Sequence, residues 1–235
     1  MEDLDIPQLA EYLHITPDQV RKMATRGNLP GRRVGGDWRF NEAEIHHWLE
    51  ERIGLSDQGE LDQVRAVLHR QSDAPPQNLS ELCPVDLIAN PFVGRTRGSV
   101  IRNMCELASR TGMLWDAPAM AEAVASREKL HPTALDCGVA LLHPRRPQTS
   151  ILAESVVALG VCPTAVPFSD TGQLTDIFFL ICSYDDSSHL RILAKLSRIV
   201  SDEAFLEGVR ASDTPADTWA LLNEAEMSLD EHHAF

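Results

Sequence analysis

No run of apolar residues in this 235-residue chain approaches the ~20 needed to cross a bilayer. The opening residues, M-E-D-L-D-I-P, are acidic and lack a signal-peptide core, so a cytoplasmic protein without membrane contact is the expectation. Aromatic residues are scarce, at 6%, yet hydrophobic residues reach 43%, which is ordinary globular material. The chain has no Cys-x-x-Cys pair. Its five cysteines, Cys83, Cys105, Cys137, Cys162 and Cys182, are dispersed and odd in number. Four lie in or beside apolar runs and read as reduced core thiols, with Cys137 the exception by position. No metal site and no cofactor is expected.

Positive charge is also in short supply. Lys and Arg total 21 against 35 Asp and Glu, a net charge of −14, which argues against a protein coated in nucleic acid. The distribution says more than the sum. Between Val20 and Phe40 lie Arg21, Lys22, Arg26, Arg32, Arg33 and Arg39, opposed only by Asp37, whereas residues 76–235 hold 12 Lys/Arg and 21 Asp/Glu. A compact basic cluster in an acidic chain points to one anion-binding module joined to something else. The length allows one large domain or two small ones.

The cluster lies in residues 1–54. Asp5-Ile6-Pro7 reads as a helix start, with Asp5 as N-cap and Leu9, Ala10 and Leu13 on one face. Thr16-Pro17-Asp18 opens a second helix with Val20, Met23 and Ala24 inward and Gly27 as its stop. Val34 and Trp38-Arg39-Phe40 flank Gly35-Gly36-Asp37, a hairpin signal, and Asn41 caps a third helix holding Ile45, Trp48 and Leu49. Helix, turn, helix, basic hairpin, helix is a winged helix-turn-helix. The second helix offers Gln19, Arg21, Lys22, Thr25 and Arg26 to a groove and its phosphates, and the hairpin offers Arg32, Arg33 and Arg39. The run from Leu9 to Leu49 resembles the excisionase/MerR-type DNA-binding module, which implies DNA as a partner. The other reading is a module kept for protein contacts. One such module makes few phosphate contacts, so tight binding calls for a homodimer or a second factor.

Residues 55–78 change character. Leu61, Val64 and Leu68 at helical spacing predict a short amphipathic helix, a dimer contact or a spacer. Ser72-Asp73-Ala74-Pro75-Pro76-Gln77-Asn78 follows as a polar linker.

Residues 79–228 alternate strand and helix patterns. A short helix or turn at Leu79–Leu82 leads to a strand of uncertain extent before Val93. Helices follow over Arg97–Thr111, stopped by Gly112, and from Asp116-Ala117-Pro118 to about Lys129. Val139–Leu142 is a strand ending on His143, with Arg145 and Arg146 just beyond, where guanidinium groups can hold an anion beside a reachable imidazole. Val156–Val161 and Asp176–Cys182 are further strands, the second patterned for cover on both faces. Val166-Pro167-Phe168 and a turn at Asp170-Thr171-Gly172 lie between them. Asp186-Ser187-Ser188 caps a helix, and Ala204–Ala211 and Pro215–Ala225 close the fold. The fold class is therefore α/β, a mixed sheet flanked by helices, preceded by the small winged module. Residues 229–235 are left as a tail.

This order and its words resemble the type-2 enzyme IIA domain of the bacterial phosphotransferase system, its nitrogen-regulatory branch above all. In that family a helix ending R-E precedes a glycine-rich loop and a strand ending on a phosphorylated histidine. Here R-E-K-L-H-P-T-A-L-D-C-G-V-A-L-L-H-P fills the slot. The resemblance implies that His143 is the phosphoacceptor, Arg127 the arginine near the phosphate, and His189, in D-D-S-S-H-L-R-I-L-A-K-L, the second histidine. P-F-S-D-T-G-Q-L-T-D-I-F-F-L-I matches the strand pair between them. It also implies a histidine-containing phosphocarrier protein as partner, with other regulatory proteins as further candidates. Ala134 and Asp136 stand where the family has glycines, Leu142 replaces a proline, and Pro144 replaces a glycine. An acidic, glycine-poor loop beside His143 would oppose a phosphoryl dianion. Three functions fit: a transcription regulator set by phosphorylation of His143, a phosphotransferase intermediate with a docking module, and a degenerate IIA-like domain that binds a protein or small molecule.

Overall fold

The protein is described by a computed structural model covering residues 3–13, 16–41, 44, 45, 48, 78–130, 132–168, 172 and 174–231. The chain divides into two compact units, Met1–Pro75 and Pro76–Phe235. The amphipathic helix expected around Leu61–Leu68, the tip of the turn at Asp170-Thr171, and Leu49 lie outside the described residues.

In the first unit β1 (Asp3–Leu4) leads into α1 (Ile6–Tyr12). Asp5 and Gln8 cap it reciprocally: Gln8 N–H donates to Asp5 Oδ1 at 2.8 Å and Asp5 N–H to Gln8 Oε1 at 2.9 Å. α2 (Pro17–Thr25) starts on Thr16, whose side chain accepts from Gln19 N–H while the Gln19 side chain accepts from Thr16 N–H. Such a box satisfies donors the helix itself leaves open and contributes about 1 kcal/mol. Arg26 ends the helix and Gly27 follows at φ 73°. β2 (Arg32–Val34) and β3 (Asp37–Asn41) form the hairpin. Gly35 and Gly36 both have positive φ, 62° and 95°, as a two-residue turn requires. β1 pairs on the other side of β3, giving the order β1-β3-β2. Leu9, Leu13, Val20, Ala24, Leu29, Phe40 and Ile45 are buried at the centre. Asn41 ends β3 and accepts from Glu44 N–H at 3.3 Å, and Glu44, Ile45 and Trp48 are helical.

The second unit begins with α3 (Leu79–Leu82), a 3-10 turn at Val85–Leu87 and a strand of two residues, β4 (Ile88–Ala89). α4 (Arg97–Ala108) runs into a 3-10 turn ended by Gly112, and α5 (Ala117–Glu128) is capped by Asp116. β5 (Val139–Leu142), β6 (Val156–Pro167) and β7 (Leu174–Cys182) follow. α6 (Asp186–Val200), α7 (Glu203–Ala211) and α8 (Pro215–Glu231) complete the unit. The sheet order is β4-β6-β7-β5, with β4/β6 and β5/β7 parallel and β6/β7 antiparallel, so the sheet is mixed.

Three boundaries differ from expectation. β6 does not stop at Val161; it continues to Pro167 across a register irregularity between Val161 and Val166. Pro163, which cannot donate to the ladder, falls within that irregularity. The cap of α6 is Asp185, one residue earlier, where it accepts from Ser188 N–H at 2.8 Å and Ser188 Oγ–H at 2.6 Å. α8 runs to Glu231, beyond Ala225 and into the stretch assigned to the tail.

Alternation sorts the strand residues by face. Ala140, Leu142, Ala158, Cys162, Phe178, Leu180 and Cys182 join α4 and α5 in one apolar core. Their neighbours Val139, Leu141, Val157, Leu159, Ile177, Phe179 and Ile181 are equally buried. They point to the opposite face, toward α6, α7 and α8. Burying both faces of the central strands explains their near-continuous apolar sequence.

Candidate active site and basic face

β5 delivers His143. The ring follows Leu141 in parity, so it emerges on the face of α6, whose first turns carry His189. The two rings meet there, centroids 5.0 Å apart and planes tilted by 55°. His143 Nδ1 lies 2.8 Å from Leu141 O. A carbonyl can only accept, so Nδ1 carries the proton and the lone pair of the neutral ring falls on Nε2. His189 Nδ1 lies 3.1 Å from Ser183 Oγ, the residue just past β7.

The reachable imidazole expected at a sheet edge is corrected. His143 is 3% exposed, and its Nε2 is covered. β5 is the outer strand of the sheet, but its outer edge is taken by the preceding loop. Ala134 bridges Ala140, Leu135 N–H donates to Val139 O at 2.7 Å, and Leu141 N–H to Thr133 O at 3.3 Å. The His189 ring covers the imidazole face. Pro144 is buried, whereas Arg145 and Arg146 are exposed beyond it.

The same loop geometry corrects the place of Asp136. Residues 133–135 fold back along β5, so Asp136, Cys137 and Gly138 form the tip at the strand's far end, one full strand, about 13 Å, from His143. Asp136 and Cys137 are exposed there. Gly138 has φ 85°, and a Cβ would stand 2.9 Å from an Arg210 nitrogen. Arg210 of α7 pins the tip, donating to Cys137 O at 2.7 Å and to Asp176 Oδ2 at 2.8 Å. The Asp176 contact holds the Arg210 guanidinium above its usual value.

Arg127 is 5% exposed and sits on α5, the helix covering the other face of the sheet. Its neighbour Glu128, 2% exposed, is a residue that sequence reasoning passed over as part of the R-E word. The Glu128 carboxylate accepts from Thr133 N–H at 3.2 and 3.3 Å and from Thr133 Oγ–H. Burial pushes its pKa up, against the pull of the Thr133 hydrogen bonds and the Arg127 and Arg97 charges. Glu128 thus ties the end of α5 to the loop that edges β5. A buried carboxylate is the only local signal of this.

In the first unit Arg21, Lys22, Thr25 and Arg26 form an exposed stripe on α2, opposite buried Val20 and Ala24. Arg21 pairs with Asp18 at 3.1 Å, an exposed contact of little strength. The hairpin arginines divide between faces. Arg32 and Arg39 are cross-strand partners on one face, where Arg32 donates to Asp3 Oδ2 at 2.6 Å. Arg33 lies with Trp38 on the other, its guanidinium 5.3 Å from the indole centroid. The single basic wing surface expected from sequence is therefore two half-surfaces.

Among the described residues no group of acidic, His or Cys side chains could hold a metal, and no helix is long and apolar enough to cross a membrane.

Known proteins agree with this architecture. Residues 4–53 match a helix-turn-helix domain. Nitrogen regulatory proteins of Escherichia coli (strain K12) and Shigella flexneri are 23% identical over 111 residues, 47% of this chain and 68% of theirs. The crystal structure of nitrogen regulatory protein IIA-Ntr from Neisseria meningitidis superposes with TM-score 0.55 at 20% identity, covering 61% of this chain and 97% of that one. IIA mannitol from Escherichia coli gives TM-score 0.54 at 21% identity, with 59% and 97% covered. Residues 81–225, well over half the chain, match the family described as phosphoenolpyruvate-dependent sugar phosphotransferase system, EIIA 2, and the chain belongs to that family, with a helix-turn-helix domain ahead of it.

Proposed function

We propose that this protein is a DNA-binding transcription regulator whose IIA unit accepts a phosphoryl group on His143 from a phosphohistidine carrier protein. The observation that carries the reading is the hydrogen bond from His143 Nδ1 to Leu141 O at 2.8 Å, which presents Nε2 as the nucleophile. The Nε2 lone pair attacks phosphorus, the new N–P bond forms as the carrier's N–P bond breaks, and the carrier imidazole leaves. His189 orients the acceptor ring, and the family resemblance assigns Arg127, in the last turn of α5, to the charge on the phosphoryl oxygens. A relative of this fold was solved as enzyme IIA mannitol with phosphorylated enzyme IIB mannitol, which supports phosphoryl traffic at such a surface. The domains run 1–54 for DNA binding, 55–78 for the connection and 79–228 for the IIA unit. Cytoplasmic residence fits both.

Because Nε2 is covered, the reaction requires His189 or its surroundings to shift before the donor reaches in line. The covered nitrogen also favours a second reading, a IIA unit that has lost transfer and binds a partner in one fixed state. Fluorescence anisotropy on genomic fragments separates the two. The proposed regulator changes its DNA affinity after incubation with phosphoenolpyruvate, enzyme I and carrier, and His143→Ala does not. Equal affinity before and after, in both proteins, removes the regulatory reading.

A further inference from the structure

We propose that Glu128 is a positioning residue for His143, acting through Thr133 and Leu141. This deepens the reading of His143 as a phosphoacceptor and rests on it for the rate, but not for the geometry.

Three successive links join the two residues. The Glu128 carboxylate takes both Thr133 donors, the amide N–H and the hydroxyl. Thr133 O accepts from Leu141 N–H at 3.3 Å. Leu141 O accepts from His143 Nδ1–H at 2.8 Å. Each link is a hydrogen bond between groups that sheet pairing alone does not supply, because residues 132–135 form no regular strand. Ala134 makes only an isolated bridge to Ala140, so the loop needs an anchor, and the buried carboxylate at the end of α5 is that anchor.

The consequence is chemical. Leu141 is held by the β7 ladder on one side and by Thr133 at its N–H on the other, and together they fix the plane of the peptides around it. That plane sets where Leu141 O points, and the direction of Leu141 O decides whether Nδ1 or Nε2 keeps the proton. The β7 ladder holds the other side of Leu141, so loss of the anchor frees the loop from the outer edge of β5 and lets the Leu141 carbonyl tilt away from His143 Nδ1. Part of the His143 population then places the proton on Nε2, which has no lone pair for phosphorus in that form. Glu128 touches neither the donor nor the reacting nitrogen, so its effect falls on turnover and not on carrier affinity.

The test uses the full chain with ¹⁵N-labelled histidine. Two-bond ¹H–¹⁵N correlation at a pH where the ring is neutral reports the tautomer of His143 directly, with no phosphate present. Wild type shows the Nδ1–H form. Glu128→Leu, which can accept from neither Thr133 donor, shows a mixture of tautomers. Thr133→Val shifts the same way, and Thr133→Ser restores the wild-type form. Carrier-dependent phosphorylation of Glu128→Leu slows about tenfold at unchanged KM, the order known for groups that orient a metal-bound histidine from behind. Should Glu128→Leu fail to fold, the Thr133→Val and Thr133→Ser pair decides the matter. Wild-type tautomers in the folded variants overturn the positioning role. An unphosphorylated wild type alongside shifted tautomers overturns the acceptor reading and leaves the Glu128 relay standing.

Discussion

The imidazoles of His143 and His189 come from a strand and a helix 46 positions apart in sequence, yet their centroids are 5.0 Å apart in the fold. His143 Nε2 is buried, and the His189 ring packs against the same imidazole. Replacing His189 with Ala therefore uncovers His143. Carbethoxylation followed by peptide mass spectrometry checks this: His143 reacts slowly in wild type and at least severalfold faster in His189→Ala. Equal rates would mean that something other than His189 shields the ring.

The tip of the loop makes a prediction opposite to the sequence reading. Across the strand length of about 13 Å, a carboxylate in water-like surroundings opposes a unit charge by roughly 0.3 kcal/mol. Asp136→Asn is thus expected to change the rate of phosphoryl acceptance less than twofold. A tenfold gain would place the Asp136 carboxylate beside the phosphate after all.

At the other end of the unit, Glu226 of α8 serves as cap for α3. It accepts from Leu79 N–H at 2.6 Å, Ser80 N–H at 2.9 Å and Lys195 Nζ at 2.5 Å. Asn78, the residue at the N-cap position, makes no side-chain cap bond, so the distant carboxylate replaces it. Burial alone would raise the Glu226 pKa. The Lys195 and backbone contacts outweigh it and leave the pKa below the usual carboxylate value. A lowered folded-state pKa means the unfolded chain binds more protons in the window between the two values, so stability rises with pH there. The contribution is complete above the unfolded value near ~4.3, and it disappears as pH falls through the lower folded value. Glu226→Gln removes the charge-assisted bond to Lys195 and weakens the α3 cap, and is expected to cost about 2 kcal/mol at neutral pH. Urea titrations at neutral and strongly acidic pH should show this gap closing as acid is added, and amide exchange at Leu79 and Ser80 should quicken in the variant.

On the first unit, the α2 stripe faces outward without interruption, while Arg32 is engaged by Asp3. Lys22→Ala and Arg26→Ala should each weaken DNA binding uniformly across sequences and lower the salt slope by about 1. Asp3→Asn releases Arg32 and removes a negative charge, so it should strengthen binding. Anisotropy titrations at several salt concentrations read both, and an unchanged slope in the α2 variants would place the DNA elsewhere.

Helix starts were legible because their signals are local. Asp5, Thr16 and Asp116 cap where a short polar side chain meets an amphipathic run. The strands of the sheet were legible as apolar runs. What escaped depends on contacts far apart in sequence or on backbone alone. Loop residues 133–135 close the edge of β5 through main-chain bonds that leave no side-chain pattern, so His143 read as open. Glu128 looked like one more charged residue at a helix end. Asp185, Asp186, Ser187 and Ser188 are all cap-forming types, and only the Ser188 contacts single out Asp185. Lys195 and Glu226 stand 31 positions apart, beyond any helical spacing.

The central claim is that His143 accepts a phosphoryl group through Nε2. Intact-mass spectrometry of the full chain after incubation with phosphoenolpyruvate, enzyme I and the carrier protein tests it most directly. Wild type should gain the mass of one acid-labile phosphoryl group, and His143→Ala none. An unmodified wild type, or equal modification of the variant, would contradict it.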